Sequence, residues 1–581
     1  MSNEQNSKTN VLTGGMVISK VLKNFGIKTT FALAGASHTF LLDALDKDNF
    51  KIVLSRHETG TVGAADGYAR ATRKVGVALI VSDQGIPNAI TGILTAYEAC
   101  SPVIIISVRR LTNSVEPQTL IDQEKLDLVA PITKWARTVY SLDRLEEYLY
   151  AAYRRALTGR PGPVILQVPQ EFLRSVVEKN SEIKKQQIFI PKPGPAQDAV
   201  IAASKLLNDA KKPLIIVGSG AYWSNSGAEL RKLSSEYSIP VFSNAMGRGL
   251  VSEDDQLSWS WAKAKSAARF ADLILLVGAR MTQRLGYGLP PMLNKKAKII
   301  QIDIEGEQIS RNRKVDLPVV SDAKLALIEI LKNLQFLKTK RKKDTTWINL
   351  ALEEQQDFIN SVGINEDKYI HPYSIARYIN KVMPENAIYI GDGADIQNWM
   401  HAFLQIKCEG GFMDHYPLGS MGIGTPLAIG VASAAQEISN ENGSELRPVV
   451  HVTGDGAFGF YSSEYNAAVK LNLKITTLIS NDGAWGTEKH GQKITIGKEV
   501  NTTFGDINYS LIGKAFGCAA DQVKDRKDLN DSIDKGLGHD GPYILDIITD
   551  PEAGSLRKLD PRVQTVQFYD LQKGQELQEK D

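Results

Sequence analysis

The sequence predicts an α/β protein built from three doubly wound parallel sheets. Short, wholly apolar runs alternate with segments of helical period along nearly the whole chain, the pattern of strands covered on both faces by helices. The alternation falls into three blocks, divided by polar, proline-bearing or basic stretches. Several apolar runs stop abruptly at glycine and aspartate, as at Gly391-Asp392-Gly393 and Gly454-Asp455-Gly456. In a parallel sheet such strand ends share one edge, and ligands bind there. A length of 581 residues suits about three to four domains at roughly 150 residues each.

The first block, 1–180, has predicted strands at 29–33, 77–81 and 103–108. Its most distinctive stretch, SRHETGTVGAADGYAR at 55–70, places Glu58 at the close of a strand. The run of small residues behind Glu58 reads as a tightly packed helix. Polar residues from Glu178 to Gln187, then Pro191, Pro193 and Pro195, form a linker. The second block, 198–335, has predicted strands at 214–217, 273–277 and 299–304. They are followed or ended by Gly218-Ser219-Gly220, Gly278-Ala279-Arg280 and Asp303. Basic residues Lys338 to Lys343 lead to the third block, 367–550, whose first predicted strand, 387–390, runs into Gly391. Residues 551–581 are polar, carry Arg557, Lys558 and Arg562, and are expected to form a tail or lid. The first and third blocks share a size and a pattern, as an internal duplication would leave them.

Composition excludes several classes. A hydrophobic fraction of 43% and a charged fraction of 23% are ordinary for a globular protein. A net charge of +2 with no basic, aromatic-rich stripe gives no reason to expect nucleic acid as a partner. No run approaches the roughly 18 apolar residues of a membrane span, and the opening MSNEQNSKTN is a polar arm. Cys100, Cys408 and Cys518 are too few and too scattered for a disulfide scaffold or zinc site. A cytoplasmic protein is expected.

The chemistry centres on 454–486, GDGAFGFYSSEYNAAVKLNLKITTLISNDGAWG. One buried strand ends at Gly454-Asp455-Gly456 and the next, 475–479, leads to Asn481-Asp482-Gly483. Asp455 and Asp482 therefore converge beside glycines that let backbone N–H groups approach a phosphate. Hard carboxylate oxygens together with phosphate oxygens make an octahedral Mg²⁺ site, the metal tying protein to diphosphate.

This stretch resembles the thiamin diphosphate motif, GDG followed after about two dozen residues by an Asn-Asn pair. The register puts Asn481 on the first Asn and Asp482 on the second, a departure that keeps a metal ligand and adds a negative charge. RHETG with GYAR at 56–70, APITKW at 130–135, GRPGPVILQVP at 159–169 and LGSMGIG at 418–424 extend the likeness over essentially 12–550. The chain is similar to the acetohydroxyacid synthase, benzaldehyde lyase and 2-hydroxyacyl-CoA lyase group. The resemblance implies a pyrimidine-binding first domain, a central nucleotide-binding-like domain and a diphosphate-binding third domain. It also implies a catalytic site shared between subunits, hence a homodimer at least and a homotetramer by expectation.

Carried onto this sequence, the resemblance makes Glu58 the carboxyl group that shares a proton with the aminopyrimidine, a task that apolar burial favours. Met421 would prop the cofactor in its bent shape, next to Ser420, and the Gly419 carbonyl would accept from the amino group. Gly393, Ala394, Asp395, Gly456, Ala457 and Asn481 would cradle the diphosphate. Asp455, Asp482 and the Ala484 carbonyl would hold Mg²⁺. Toward the substrate, Ser37, His38 and Gln123 (or Gln118) are candidates. The catalytic His of benzaldehyde lyase registers on Ser37 and not on His38. Gln397, Trp485, Thr487, Glu488 and His490 align with pocket or lid positions, and SDQGIPNA at 82–89 departs from the commoner loop near Asn88. The central domain would hold FAD, ADP/CoA or nothing, its GARMTQRLGYGLPP loop looking more like the CoA-lyase version. The implied activity is an acetolactate synthase-like carboligase on 2-oxo acids. A 2-hydroxyacyl-CoA or acyloin lyase, or a non-catalytic thiamin diphosphate-binding homologue, stands as the alternative.

Overall fold

The computed structural model describes residues 12–81, 84–114, 126–177, 183, 186–337, 344–361, 364, 368–553 and 571–579. Within them lie three six-stranded sheets in which every paired strand runs parallel. The first contains β1 (Thr29–Ala32), β2 (Lys51–Leu54), β3 (Gly76–Ile80), β4 (Val103–Arg109), β5 (Trp135–Thr138) and β6 (Val164–Pro169). The second contains β7 (Pro213–Val217), β8 (Val241–Ser243), β9 (Ser258–Ser260), β10 (Leu273–Val277), β11 (Lys298–Asp303) and β12 (Leu317–Val320). The third contains β13 (Ile388–Gly391), β14 (Phe412–Asp414), β15 (Val449–Gly454), β16 (Ile475–Asn481), β17 (Ala519–Val523) and β18 (Pro542–Ile548). Central strands such as β3, β7, β10 and β16 are buried along their whole length. That burial on both faces is why they read as continuous apolar runs and not as alternating ones.

Strand order is 2-1-3-4-6-5 in the first sheet and 14-13-15-16-18-17 in the third. Counted from its own first strand, the third repeats the order of the first, as the matching sequence patterns suggest. The middle sheet, 12-11-10-7-8-9, instead has the order of a dinucleotide-binding sheet.

The described chain forms two compact units: Met1–Pro191 with His415–Glu437 and Ser463–Leu471, and Lys192–Asp414 with Ile438–Ser462 and Asn472–Asp581. In the first, helix Glu58–Thr72 is buried from Glu58 to Arg70. Small residues make this possible. A methyl on Gly67 would overlap the Leu427 carbonyl, and one on Gly430 would overlap that of Ala64. Asp66 and Arg70, both nearly sealed from solvent, neutralise each other across one turn at 2.5 Å. In the second unit, two apolar clusters cover the middle sheet and a third lies against the last sheet.

One local expectation is corrected. Glu58 does not close a strand: β2 stops at Leu54, and Glu58 is the first residue of the helix after a short turn.

Candidate active site

The third sheet reverses its strand order between β13 and β15, the position at which parallel sheets open a crevice for ligands. Both strands end in glycine turns. Gly393 adopts φ +85°, a left-handed backbone that glycine takes without steric cost. A methyl there would lie 2.8 Å from the Gly454 nitrogen, so the turns pass each other at backbone distance. Ala394 leads into helix Asp395–Phe403, and Asp455 opens the short helix Asp455–Tyr461, with Gly456 and Ala457 behind it. A methyl on Gly456 would lie 2.6 Å from the Trp485 ring. That ring packs edge-on to Phe504, centroids 4.9 Å apart, so Trp485 walls the turn.

Carboxylates meet in pairs where β13, β15 and β16 end, Asp455 with Asp482 and Asp482 with Asp395. The Oδ2 atoms of Asp395 and Asp482 would each be 2.5 Å from a methyl on Gly486, which is why that position carries none. Thr487 Oγ1 donates to Asp395 Oδ1 at 2.6 Å. Burial, then the Asp482 charge, push the Asp455 carboxyl well above its ordinary range, against the Gly456 and Gly483 N–H groups. Asp482 rises to about 7, first through burial and then through the Asp395 charge, with Lys489 and the Ala484 N–H among the groups opposing. Asp455 Oδ2 is buried without a hydrogen-bond donor. Two facing carboxylates with no donor between them require a shared proton or a cation.

Asn481 is differently occupied. Its Nδ2 donates to the Ile507 carbonyl at 3.0 Å and to Asp546 Oδ1 at 2.9 Å, and its Oδ1 accepts from the Gly483 N–H at 3.2 Å. The side chain is spent on the loop behind β16. Gln397, fully buried, bridges the β13 and β15 ends by donating to the Asp392 and Val452 carbonyls, both at 2.9 Å. Glu488 is exposed, while His490 and Lys489 are buried. Lys489, beside Asp482, carries no signal in the sequence beyond its place on the helix that follows.

In the first unit Glu58 is 3% exposed. Asn88 Nδ2 donates to its Oε2 at 3.1 Å. His57 caps the helix through its ring, accepting from the Thr59 N–H at 3.1 Å, while Thr59 Oγ1 donates to the Asn88 carbonyl at 2.6 Å. The first turn of helix Gly85–Glu98 is thus stitched to the Glu58 turn through Asn88. Ser37 is half-buried in a short turn after β1, whereas His38 is sealed. Burial lowers its imidazole to about 4, the Ile80 backbone opposing, so it stays neutral at physiological pH. Gly419 (φ +77°), Ser420 and Met421 form a half-buried turn ahead of helix Gly424–Asn442. Gln118, Gln123, Arg557, Lys558 and Arg562 lie outside the described residues.

The middle sheet's glycines have an internal explanation. A methyl on Gly218 would lie 2.5 Å from the Gly278 carbonyl oxygen, and one on Gly220 2.7 Å from Gly278 Cα. Gly220 N–H donates to that same carbonyl at 3.0 Å. The GSG and GAR turns are therefore glycine because they pack on each other at the β7–β10 reversal. Buried Arg313 ties down the following loop through the Gly288, Asn294, Lys295 and Ala297 carbonyls.

Comparison with known proteins gives concordant matches. The thiamine pyrophosphate enzyme N-terminal domain matches residues 12–126, the central domain 200–330 and the C-terminal domain 392–547. A probable acetolactate synthase large subunit of Methanocaldococcus jannaschii is 29% identical, over 97% of this chain and 98% of its own. The 2-hydroxyacyl-CoA lyase 1 of Mus musculus is 25% identical, over 93% and 95%. Benzoylformate decarboxylase from Polynucleobacter necessarius superposes with a TM-score of 0.80 at 21% identity, covering 93% of this chain and 99% of that one.

Proposed function

Since the chain belongs to the thiamine pyrophosphate enzymes, matched in all three of their domain types, we propose that it is a Mg²⁺-dependent carboligase of the acetolactate synthase kind. It acts on 2-oxo acids, as a cytoplasmic homodimer or larger assembly, with domains at 1–180, 198–335 and 367–550 and a tail at 551–581. Acetolactate synthases among its relatives, at 26–29% identity over most of the chain, favour this reading.

The residues present fit both cofactors. The buried Asp455 Oδ2, without a hydrogen-bond partner in a carboxylate pair with Asp482 that needs a proton or a cation, is the observation that supports a cation here. Among the described residues no three His, Cys, Asp or Glu side chains are grouped to hold a metal unaided. Mg²⁺ fits that arrangement, since it is characteristically bound by one or two carboxylates plus phosphate oxygens. Asp455, Asp482 and the Ala484 carbonyl would hold it. The turns at Gly393 and Gly456, where added methyls would collide with backbone or ring, would take the diphosphate. Thiamin diphosphate, when bound, supplies the electron sink for making or breaking a carbon–carbon bond beside a carbonyl.

The chain's part is to position and to move protons. The single observation that carries this is the burial of Glu58 with one side-chain donor, Asn88, on Oε2. Asn88 orients the carboxyl group, and Oε1 is left to take and return a proton at the aminopyrimidine. A neutral amide of the same shape cannot do so. Glu58→Gln should keep the fold and cofactor binding while exchange of the thiazolium C2 hydrogen in D₂O, followed by NMR after acid quench, slows about 10²–10⁴-fold. Exchange at the wild-type rate would refute the assignment. Incubation with pyruvate should yield acetolactate. A protein inert to 2-oxo acids that cleaves a 2-hydroxyacyl-CoA would overturn the carboligase reading in favour of a lyase. For the central domain, the absorption spectrum of the purified protein separates a flavin from ADP/CoA or no nucleotide.

A further inference from the structure

Glu464 lies in the same stretch as Asp455, but it packs in the first unit against the turn that ends in Glu58. It is 2% exposed. The Arg56 N–H donates to both carboxylate oxygens, at 3.1 Å and 3.0 Å, and the His57 N–H is directed at the same group. These two N–H groups belong to the residues just before Glu58, the first residue of its helix. The carboxylate needs room, and Gly60 provides it: a methyl there would overlap Glu464 Oε1. A large acidic side chain is thus sealed against a glycine, its oxygens spent on two backbone donors.

A buried carboxylate costs several kcal/mol to desolvate, so its retention at this place calls for a reason. A plain structural role could be filled by the helix's own cap, which His57 already provides through its ring. The two N–H groups lie outside the helix, and their orientation sets where the backbone enters it. Fixing that entry fixes the Cα–Cβ direction of Glu58. Asn88 then fixes the far end of the same side chain.

We propose that Glu464 is a positioning residue for Glu58, holding the Arg56–His57 turn so that the Glu58 carboxyl group meets its proton acceptor in one orientation. This rests on the reading of Glu58 given above. It assigns no substrate or proton contact to Glu464, and it makes Gly60 and Glu464 one device.

The test uses Glu464→Gln, which is isosteric but turns an NH₂ toward one of the two donors, and Gly60→Ala, which displaces the carboxylate from the other side. Three quantities are read on the full-length holoenzyme. Amide hydrogen exchange of the peptide spanning 54–60 should rise at least tenfold in either variant, whatever Glu58 does. The C2 hydrogen exchange of bound thiamin diphosphate should slow about tenfold or more, with cofactor affinity and helix content retained. The double variant should be no slower than the slower single variant, because both changes disable the same seat. Unchanged amide protection, an unaffected C2 exchange rate, or effects of the two substitutions that multiply would each overturn the proposal. Should Gly60→Ala fail to fold, Glu464→Asp gives the second perturbation, since shortening by one methylene withdraws the carboxylate without adding bulk. Failure of the Glu58 reading is recognised separately: Glu58→Gln would then exchange C2 hydrogen at the wild-type rate while the amides at 54–60 still open in the Glu464 variants.

Discussion

Glu464 also gives the protein a calculable dependence on pH. Burial raises its carboxyl group from 4.5 to about 7, against the Arg56 and His57 N–H groups and the Arg56 charge. A carboxyl group raised in the folded state keeps its proton where the unfolded chain has lost it. Stability therefore falls with rising pH between about 4.5 and about 7, and is level outside that window. At about 1.4 kcal/mol per pH unit over that interval, the loss amounts to about 3 kcal/mol. Glu464→Gln removes the titration. The wild type minus variant difference in opening free energy should therefore drop by about 3 kcal/mol between pH 4.5 and 7.5. Hydrogen exchange of the helix Glu58–Thr72 amides, corrected for intrinsic rates, reads this locally, which suits a multidomain chain that need not unfold in one step. A difference that is flat across the window, or that grows with pH, would refute the argument.

Other outcomes follow from single contacts. Asp482→Ala should weaken Mg²⁺-dependent retention of thiamin diphosphate, read by calorimetric titration. Asn481→Ala should instead lower stability by about 1–3 kcal/mol with metal affinity nearly kept, because it strips a donor from buried Asp546; equal losses of metal affinity would refute the distinction. Asp66→Ala removes the carboxylate from buried Arg70 and should cost about 3–5 kcal/mol by chemical denaturation. Gly393→Ala, strained by φ +85° and by the 2.8 Å approach to the Gly454 nitrogen, should reduce diphosphate binding more than it reduces the melting temperature; the reverse order would argue against a cradle at this turn.

What was legible in the sequence follows from what each signal depends on. The strands stood out because central parallel strands are apolar on both faces, so β7 and β10 needed no periodicity to be found. The meeting of Asp455 and Asp482 was legible because both follow neighbouring strands of one sheet. What the Asn481 amide bonds to was not. Adjacent residues at a strand end face opposite ways, and only the partners of Asn481, the Asp546 carboxylate and the Ile507 carbonyl, show that its amide is spent on the loop behind. Glycines mislead in the same way. Gly218, Gly220 and Gly278 look like a nucleotide fingerprint, yet their own mutual approach already demands glycine, so the motif carries less weight for a ligand than it does in isolation. Glu464 is the limiting case. It lies inside the 454–486 stretch, yet its partner Arg56 is 408 residues away, and nothing in either segment marks the pairing. A buried acid whose acceptors are filled by backbone N–H groups leaves no complementary residue type elsewhere in the chain to betray it. Side-chain pairs can be guessed from complementary charges, but a side chain that serves another residue's backbone becomes visible only when the fold is in hand.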